Sequence, residues 1–217
     1  MNDLFQLTNI HFAFEPERAV LTGAEFRLGA GERVALTGPN GAGKTTLFHI
    51  MVGLLIPQRG SVVAFGHPRR EEKDFRAVRA RAGLLFQDSD DQLFCPTVRE
   101  DVAFGPLNLG KSRGEAEAIA RRTLEGLGLR GYFERITHRL SGGEKRQVAL
   151  ASILAMEPEV LLLDEPTNAL DRDAEVRLLQ ILTGLPQAMV IISHREDFLA
   201  RIATRKVRLE GGRLRDI

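Results

Sequence analysis

Residues 38–45 read Gly38-Pro39-Asn40-Gly41-Ala42-Gly43-Lys44-Thr45, a complete G-x-x-x-x-G-K-[ST] phosphate-binding loop. The apolar run Val34-Ala35-Leu36 before it reads as a buried strand, and Thr46-Leu47-Phe48-His49-Ile50-Met51-Val52 after it reads as a helix. Strand, glycine-rich turn and helix in that order confine the chain to the α/β class. The glycines let backbone N–H groups turn inward around phosphates, and the helix start adds the positive end of its dipole. Lys44 supplies a point charge and Thr45 a hydroxyl for Mg²⁺. The alternative is a glycine-rich turn with a chance lysine, and the flanking elements argue against it. The loop implies a nucleoside triphosphate. It does not say what the energy is for.

The bulk numbers narrow the rest. A chain of 217 residues buries a sizeable core in one domain, with room for a subdomain. Lys and Arg total 30 against 29 Asp and Glu, a net charge of +1, so there is no general electrostatic case for nucleic acid or anionic lipid. Only a local basic patch is left open. Cys95 is the single cysteine, which excludes an intramolecular disulfide and points to a reducing compartment. Met1-Asn2-Asp3-Leu4 shows no basic region followed by an apolar stretch, so no secretory signal is expected. Charges interrupt every apolar run well before the ~18 residues of a membrane span. The expectation is a chain soluble by itself, with any membrane role supplied by a partner.

Along the chain, residues 4–14 alternate apolar and polar, and residues 20–28 read as a second strand turning at Gly29-Ala30-Gly31. A short strand is expected at 60–66, a helix at 71–82 and a strand at 83–86. From 97 to 157 the pattern is helical, with 113–127 ended by Gly128. Strands return at Val160-Leu161-Leu162-Leu163 and Met189-Val190-Ile191-Ile192, and a terminal hairpin turns at Gly211-Gly212. The predicted organisation is one nucleotide-binding core, residues 1–87 and 158–217, interrupted by a helical insert at about 88–157.

Two further motifs carry chemistry. Leu161-Leu162-Leu163 is a strand ending in Asp164-Glu165. A strand buried on both faces delivers Asp164 to the sheet edge beside the phosphate loop, where it can hold Mg²⁺ through water. Glu165, one residue on, suits a carboxylate that orients or deprotonates an attacking water. Leu140-Ser141-Gly142-Gly143-Glu144 opens another helix, with Ser141 as N-cap and Glu144 completing a capping box. A glycine pair at a helix start also exposes N–H groups to an anion. The chain's own loop already serves one nucleotide, so this second anion site implies completion of another molecule's site.

Together, the loop, Leu140–Glu144, and Asp164-Glu165-Pro166-Thr167 followed by Leu170-Asp171 resemble the ATP-binding cassette subunit of ABC transporters over essentially the whole chain. The resemblance implies a core with a mixed sheet and an antiparallel β-subdomain, plus an inserted helical subdomain. It implies ATP and Mg²⁺, held by residues 38–46 (Gly38 to Thr46), with Thr45, Gln87 and Asp164 toward the metal. It assigns catalysis to Glu165, to Gln87 after the strand at 83–86, and to His194, the switch histidine near the γ-phosphate. Phe14 matches the aromatic that stacks on adenine. Ser141, Gly142 and Gly143 would face the nucleotide of a second cassette, with Asp171 across that interface.

The stretch from Phe86 to Phe94, then Thr97 to Pro106, is similar to the branch serving cobalt, nickel and the energy-coupling-factor vitamin importers. It reads as an acidic, turn-rich loop exposing Leu93 and Phe94, the alternative being that both tuck into the insert's own core, followed by Thr97 as N-cap with Glu100 in the box position. Exposed apolar residues there suit a docking surface for a membrane subunit. The implied assembly is a homodimer or paralogue heterodimer at the cytoplasmic face of the membrane, with no nucleic acid. Asn168-Ala169 stands where Ala-Gly is common in that branch, and Arg195 follows His194 where an acid is common. The competing readings are a cassette for another substrate and a soluble ATPase acting on DNA or ribosomes. The second lacks its usual coiled-coil insertion, tandem cassette or basic surface here. Metal ion and vitamin stay equally open as cargo.

Overall fold

The computed structural model describes residues 3–217; Met1 and Asn2, part of the segment read for a secretory signal, lie outside them. The chain divides into two compact units. The first is Met1–Leu84 with Glu159–Asp164 and Pro186–Ile217, and the second is Leu85–Pro158 with Glu165–Leu185.

In the first unit, β1 (Asp3–Glu15), β2 (Arg18–Gly29), β4 (Arg59–Ala64) and β5 (His67–Arg69) form an antiparallel sheet in the order β2-β1-β4-β5. The alternation of β1 changes parity along its length. Phe5 and Leu7 are buried at odd positions, then Ile10 and Phe12 at even ones. The change falls at Asn9, in the left-handed region at φ 51, and β2 makes a matching offset at Gly23, φ 82. Each strand carries one extra residue there, so the pairing beyond recovers its former register with both halves still facing the core.

A second, mixed sheet runs β10-β9-β3-β8-β7-β6. Its members are β3 (Arg33–Thr37), β6 (Ala82–Leu85), β7 (Val160–Asp164), β8 (Ala188–Ile192), β9 (Arg205–Glu210) and the edge strand β10 (Arg213–Asp216). Strand β3 pairs in parallel with β8 and β9, β7 pairs in parallel with β8, and β10 closes a hairpin on β9. Every residue of β7 and β8 is buried, as the continuous apolar runs require of strands covered on both faces. Helix α1 (Lys44–Met51) follows β3, α2 (Glu72–Arg79) precedes β6, and α7 (Glu196–Ile202) follows β8. Phe5, Phe48 and Phe75 are among the fully buried side chains of its core.

The second unit holds α3 (Val98–Asn108), α4 (Arg113–Gly126), α5 (Gly142–Leu154) and α6 (Arg172–Gly184). Each of α3, α4 and α5 opens in a capping box: Thr97 with Glu100, Ser112 with Glu115, Ser141 with Glu144. Helix α4 turns Ala116, Ala120 and Leu124 inward at the predicted spacing.

The turn-rich loop departs from expectation at one residue. Phe94 is 65% exposed, but Leu93 is buried at 8%. The Leu93 amide donates back to Ser89 O at 3.0 Å, a single helical turn that rotates Leu93 inward. Its neighbour Gln92 is anchored, its side-chain amide donating to Ala149 O at 2.8 Å and Ser152 Oγ at 3.0 Å. Phe94 is then held outward, because the amides of Phe94 and Cys95 both donate to Asp101 Oδ1, at 3.1 and 3.0 Å.

Candidate functional site

In the first unit, β3 and α1 carry the phosphate loop between them. Gly38 sits at φ 141, and a Cβ there would lie 2.2 Å from the backbone oxygen of Leu209, so no other residue fits this turn. Lys44 Nζ donates to the carbonyls of Gly38 and Pro39, both at 2.9 Å, which folds the ammonium over the loop. Pro39, Asn40 and Gly41 are exposed, while Thr46 is buried at 8% in the first turn of α1. Thr45 Oγ1 donates to Asp164 Oδ2 at 2.6 Å, so the end of β7 meets the start of α1. Asp164 is only 2% exposed. Burial holds the His49 imidazole, on α1, below its ordinary pKa, against the opposing pull of the Asp164 charge.

The hydroxyl of Thr45 and the carboxylate of Asp164 are hard oxygen donors of the kind Mg²⁺ takes. No group of three or more His, Cys, Asp or Glu side chains among the described residues could cage a metal. His194 is exposed between β8 and α7, where the preceding Ser193 Oγ accepts from the Arg195 amide at 3.1 Å. Arg195 pairs with Asp197 at 3.0 Å. Phe14 is 63% exposed near the end of β1.

In the second unit, Ser141 is exposed at the start of α5, and its helix start is tightly held. The Ser141 amide donates to Glu144 Oε2 at 2.8 Å, and the Glu144 amide returns to Ser141 Oγ at 3.3 Å. Tyr132 Oη at 2.8 Å and Arg135 at 2.7 Å both donate to Glu144 Oε1. The Ser141 amide, then Tyr132 and the remaining donors, pull the Glu144 carboxyl down to about 2. Gly143 has a packing reason to be glycine, since a Cβ would lie 2.7 Å from the backbone oxygen of Ala169. Ala169 itself sits in the left-handed region at φ 59. Asp171 caps α6, its Oδ1 accepting from the Ala174 amide at 2.7 Å.

One organising residue escaped the sequence reading. Arg146, in α5, is 3% exposed, and its guanidinium donates to the carbonyls of Phe86, Gln87 and Glu165. It ties the segment of Gln87 and the backbone of Glu165, at φ 50, to the helix that begins after Ser141. The signal was available: Arg146 stands three and four residues before the buried Ala149 and Leu150, a charge on an apolar stripe. Asp101, on the buried stripe of α3 with Val98 and Val102, is the same kind of signal. Its second oxygen accepts from Thr137 Oγ1 at 3.0 Å.

Comparison with known proteins agrees with this arrangement. The family model described as ABC transporter matches residues 21–168. A Nitratidesulfovibrio vulgaris protein, named provisionally as an ABC transporter ATP-binding protein, is 52% identical over 212 residues, covering 97% of this chain and 78% of that protein. The energy-coupling factor transporter ATP-binding protein EcfA of Methanothermobacter thermautotrophicus is 42% identical over 215 residues, 97% of this chain and 69% of EcfA. Among solved structures, the dimeric ATP-binding cassette MJ0796 in a post-hydrolysis state with ADP and Pi superposes with a TM-score of 0.90 at 25% identity, covering 98% of this chain and 97% of that one. The chain belongs to the ABC transporter ATP-binding family, as an ATPase that binds ATP with Mg²⁺ and whose hydrolysis of ATP drives transport.

Proposed function

We propose that this ATPase energises import of a transition-metal ion, such as cobalt or nickel, or of a vitamin, through a membrane subunit docked near Gln87–Phe94. The observation that carries the reading is the loop around an exposed Phe94, whose ring meets Phe104 edge-on at 4.8 Å between centroids. Phe104, Leu107 and Leu109 are also more than 40% exposed, so an apolar surface extends from the loop along α3. The similarity to EcfA, named as an energy-coupling factor transporter protein, supports the same branch. Among the described residues no helix is long and apolar enough to cross a membrane.

In this reading two cassettes, identical or paralogous, meet head to tail. Residues 38–46 and the ammonium of Lys44 hold the triphosphate, and Phe14 stacks on the base. Thr45 and Asp164 would hold Mg²⁺, which would supply positive charge against the phosphates, and Gln87 is the further residue assigned toward the metal. Glu165 takes the proton of the attacking water, and His194 reads the γ-phosphate. Ser141, Gly142 and Gly143 of the second cassette close over that phosphate, with Asp171 along the interface. The MJ0796 dimer supports such an arrangement.

The test is to purify the chain with its membrane subunits, place the complex in vesicles, and measure ATP-dependent uptake of labelled Co²⁺, Ni²⁺ and vitamins. Uptake of one cargo, abolished by Glu165→Gln while ATP stays bound, is the expected result. Brisk ATP turnover with none of these cargoes moved would exclude the branch.

A further inference from the structure

Strand β1 outlasts its neighbour β4. The last pair between them joins His11 to Arg59, and the Gln58 amide still donates to His11 O at 3.0 Å. Beyond that point the side chain of Gln58 continues the ladder. Its Oε1 accepts from the Ala13 amide at 3.0 Å, and its Nε2 donates to the Ala13 carbonyl at 2.7 Å. A primary amide thereby exchanges both bonds with Ala13, as a residue of a neighbouring antiparallel strand would. On the other flank Ala13 pairs with Ala19 of β2. Ala13 is therefore fixed from both sides, immediately before Phe14.

Phe14 needs such fixing. At 63% exposure, little burial holds its ring. The ring stands edge-on to Phe12, with centroids 5.0 Å apart and planes at 89°. Phe12, Phe14, Leu21 and Gln58 line a cavity of about 400 Å³. The direction of the ring is set by the Phe12 contact and by the backbone on which it hangs.

We propose that Gln58 is a positioning residue for the nucleotide base, setting through Ala13 the orientation of the ring on which the base stacks. This rests on the reading of Phe14 as the base platform. A platform that is already oriented loses less freedom when a ligand stacks on it, so affinity for the base half of ATP rises. The phosphate half is held by the loop at residues 38–45 and gains nothing from Gln58.

The experiment separates the two halves. Full-length Gln58→Ala, Gln58→Glu and Phe14→Ala proteins are titrated calorimetrically with a non-hydrolysable ATP analogue and with inorganic tripolyphosphate, both with Mg²⁺. Gln58→Ala is expected to weaken the analogue about three- to tenfold, a range that loss of a solvent-exposed hydrogen-bonded pair supports, with tripolyphosphate unchanged. Gln58→Glu, which keeps the acceptor but sets a carboxylate against the Ala13 carbonyl, is expected to do the same. If Phe14→Ala weakens the analogue and neither Gln58 variant does, the positioning role is overturned while the platform stands. If Phe14→Ala also has no effect, the platform reading falls with it. Equal weakening of analogue and tripolyphosphate by the Gln58 variants would mean general loosening, and would overturn the proposal.

Discussion

A single alanine stores strain where the family's branch commonly has glycine. Ala169 occupies the left-handed region, φ 59, where an L side chain costs roughly 1–2 kcal/mol. Its carbonyl abuts Gly143, so the strain sits under the start of α5. Ala169→Gly removes the steric cost and adds some entropy to the unfolded chain. The net expectation is a gain of about 0.5–1 kcal/mol, read as a higher urea midpoint at unchanged slope. Glu144 gives a pH signature at the same helix start. Its carboxyl is held at about 2, against 4.5 ordinarily, by the Ser141 amide and then by Tyr132. A depressed carboxyl stabilises fully above its unfolded value and loses that contribution as pH falls through its folded one. The melting-temperature gap between the natural chain and Glu144→Gln is therefore expected to be constant above pH 4.5 and to close toward pH 2. A gap independent of pH would mean the carboxylate charge contributes nothing. Ser141 and Glu144 were legible as a capping box because their spacing is local. The donors Tyr132 and Arg135 were not, since nothing in a linear pattern brings residues nine and twelve positions away onto one oxygen.

Elements were most legible where one periodicity ran uninterrupted. The apolar runs of β7 and β8 and the helical spacing of α4 pointed to the structure found, whereas the alternation of β1 marked a strand without revealing its change of parity at Asn9. The loop before α3 shows where such reading stops. Leu93 and Phe94 are adjacent and equally apolar, and a turn of backbone decides that one faces in and the other out. Arg146 and Asp101 show the reverse failure: charges on an apolar stripe were passed over, although a buried charge persists only when it has partners. The loop divides into testable halves. Phe94→Ser is expected to leave folding stability within about 0.5 kcal/mol and to abolish co-purification with the membrane subunit. Leu93→Ser is expected to lower stability by roughly 2–4 kcal/mol, through the lost apolar volume and a hydroxyl placed in its pocket. Equal melting curves for the two variants would contradict the inward turn at Ser89–Leu93.

For the whole molecule, the proposed head-to-tail pairing would make one chain both donor and acceptor of a nucleotide site, through the helix start at Ser141 and the phosphate loop. Lys44→Ala and Ser141→Arg proteins are each expected to be inactive alone. Mixed in equal amounts, random pairing gives half heterodimers with one intact site each, about a quarter of the wild-type turnover. Turnover of the natural chain should rise more than linearly with its concentration. A mixture no more active than its components would exclude the head-to-tail pair. The paired offset at Asn9 and Gly23 has a consequence at this scale too. It works as a frameshift in space: one residue skipped on each strand restores the count for everything downstream. Deleting Asn9 alone would leave the genetic message in frame and the strand out of phase. Ile10, Phe12 and Phe14 would then trade faces with their neighbours, turning the aromatic pair away from the side of the sheet it now occupies. An error of one residue at Asn9 would be read out at the far end of the strand.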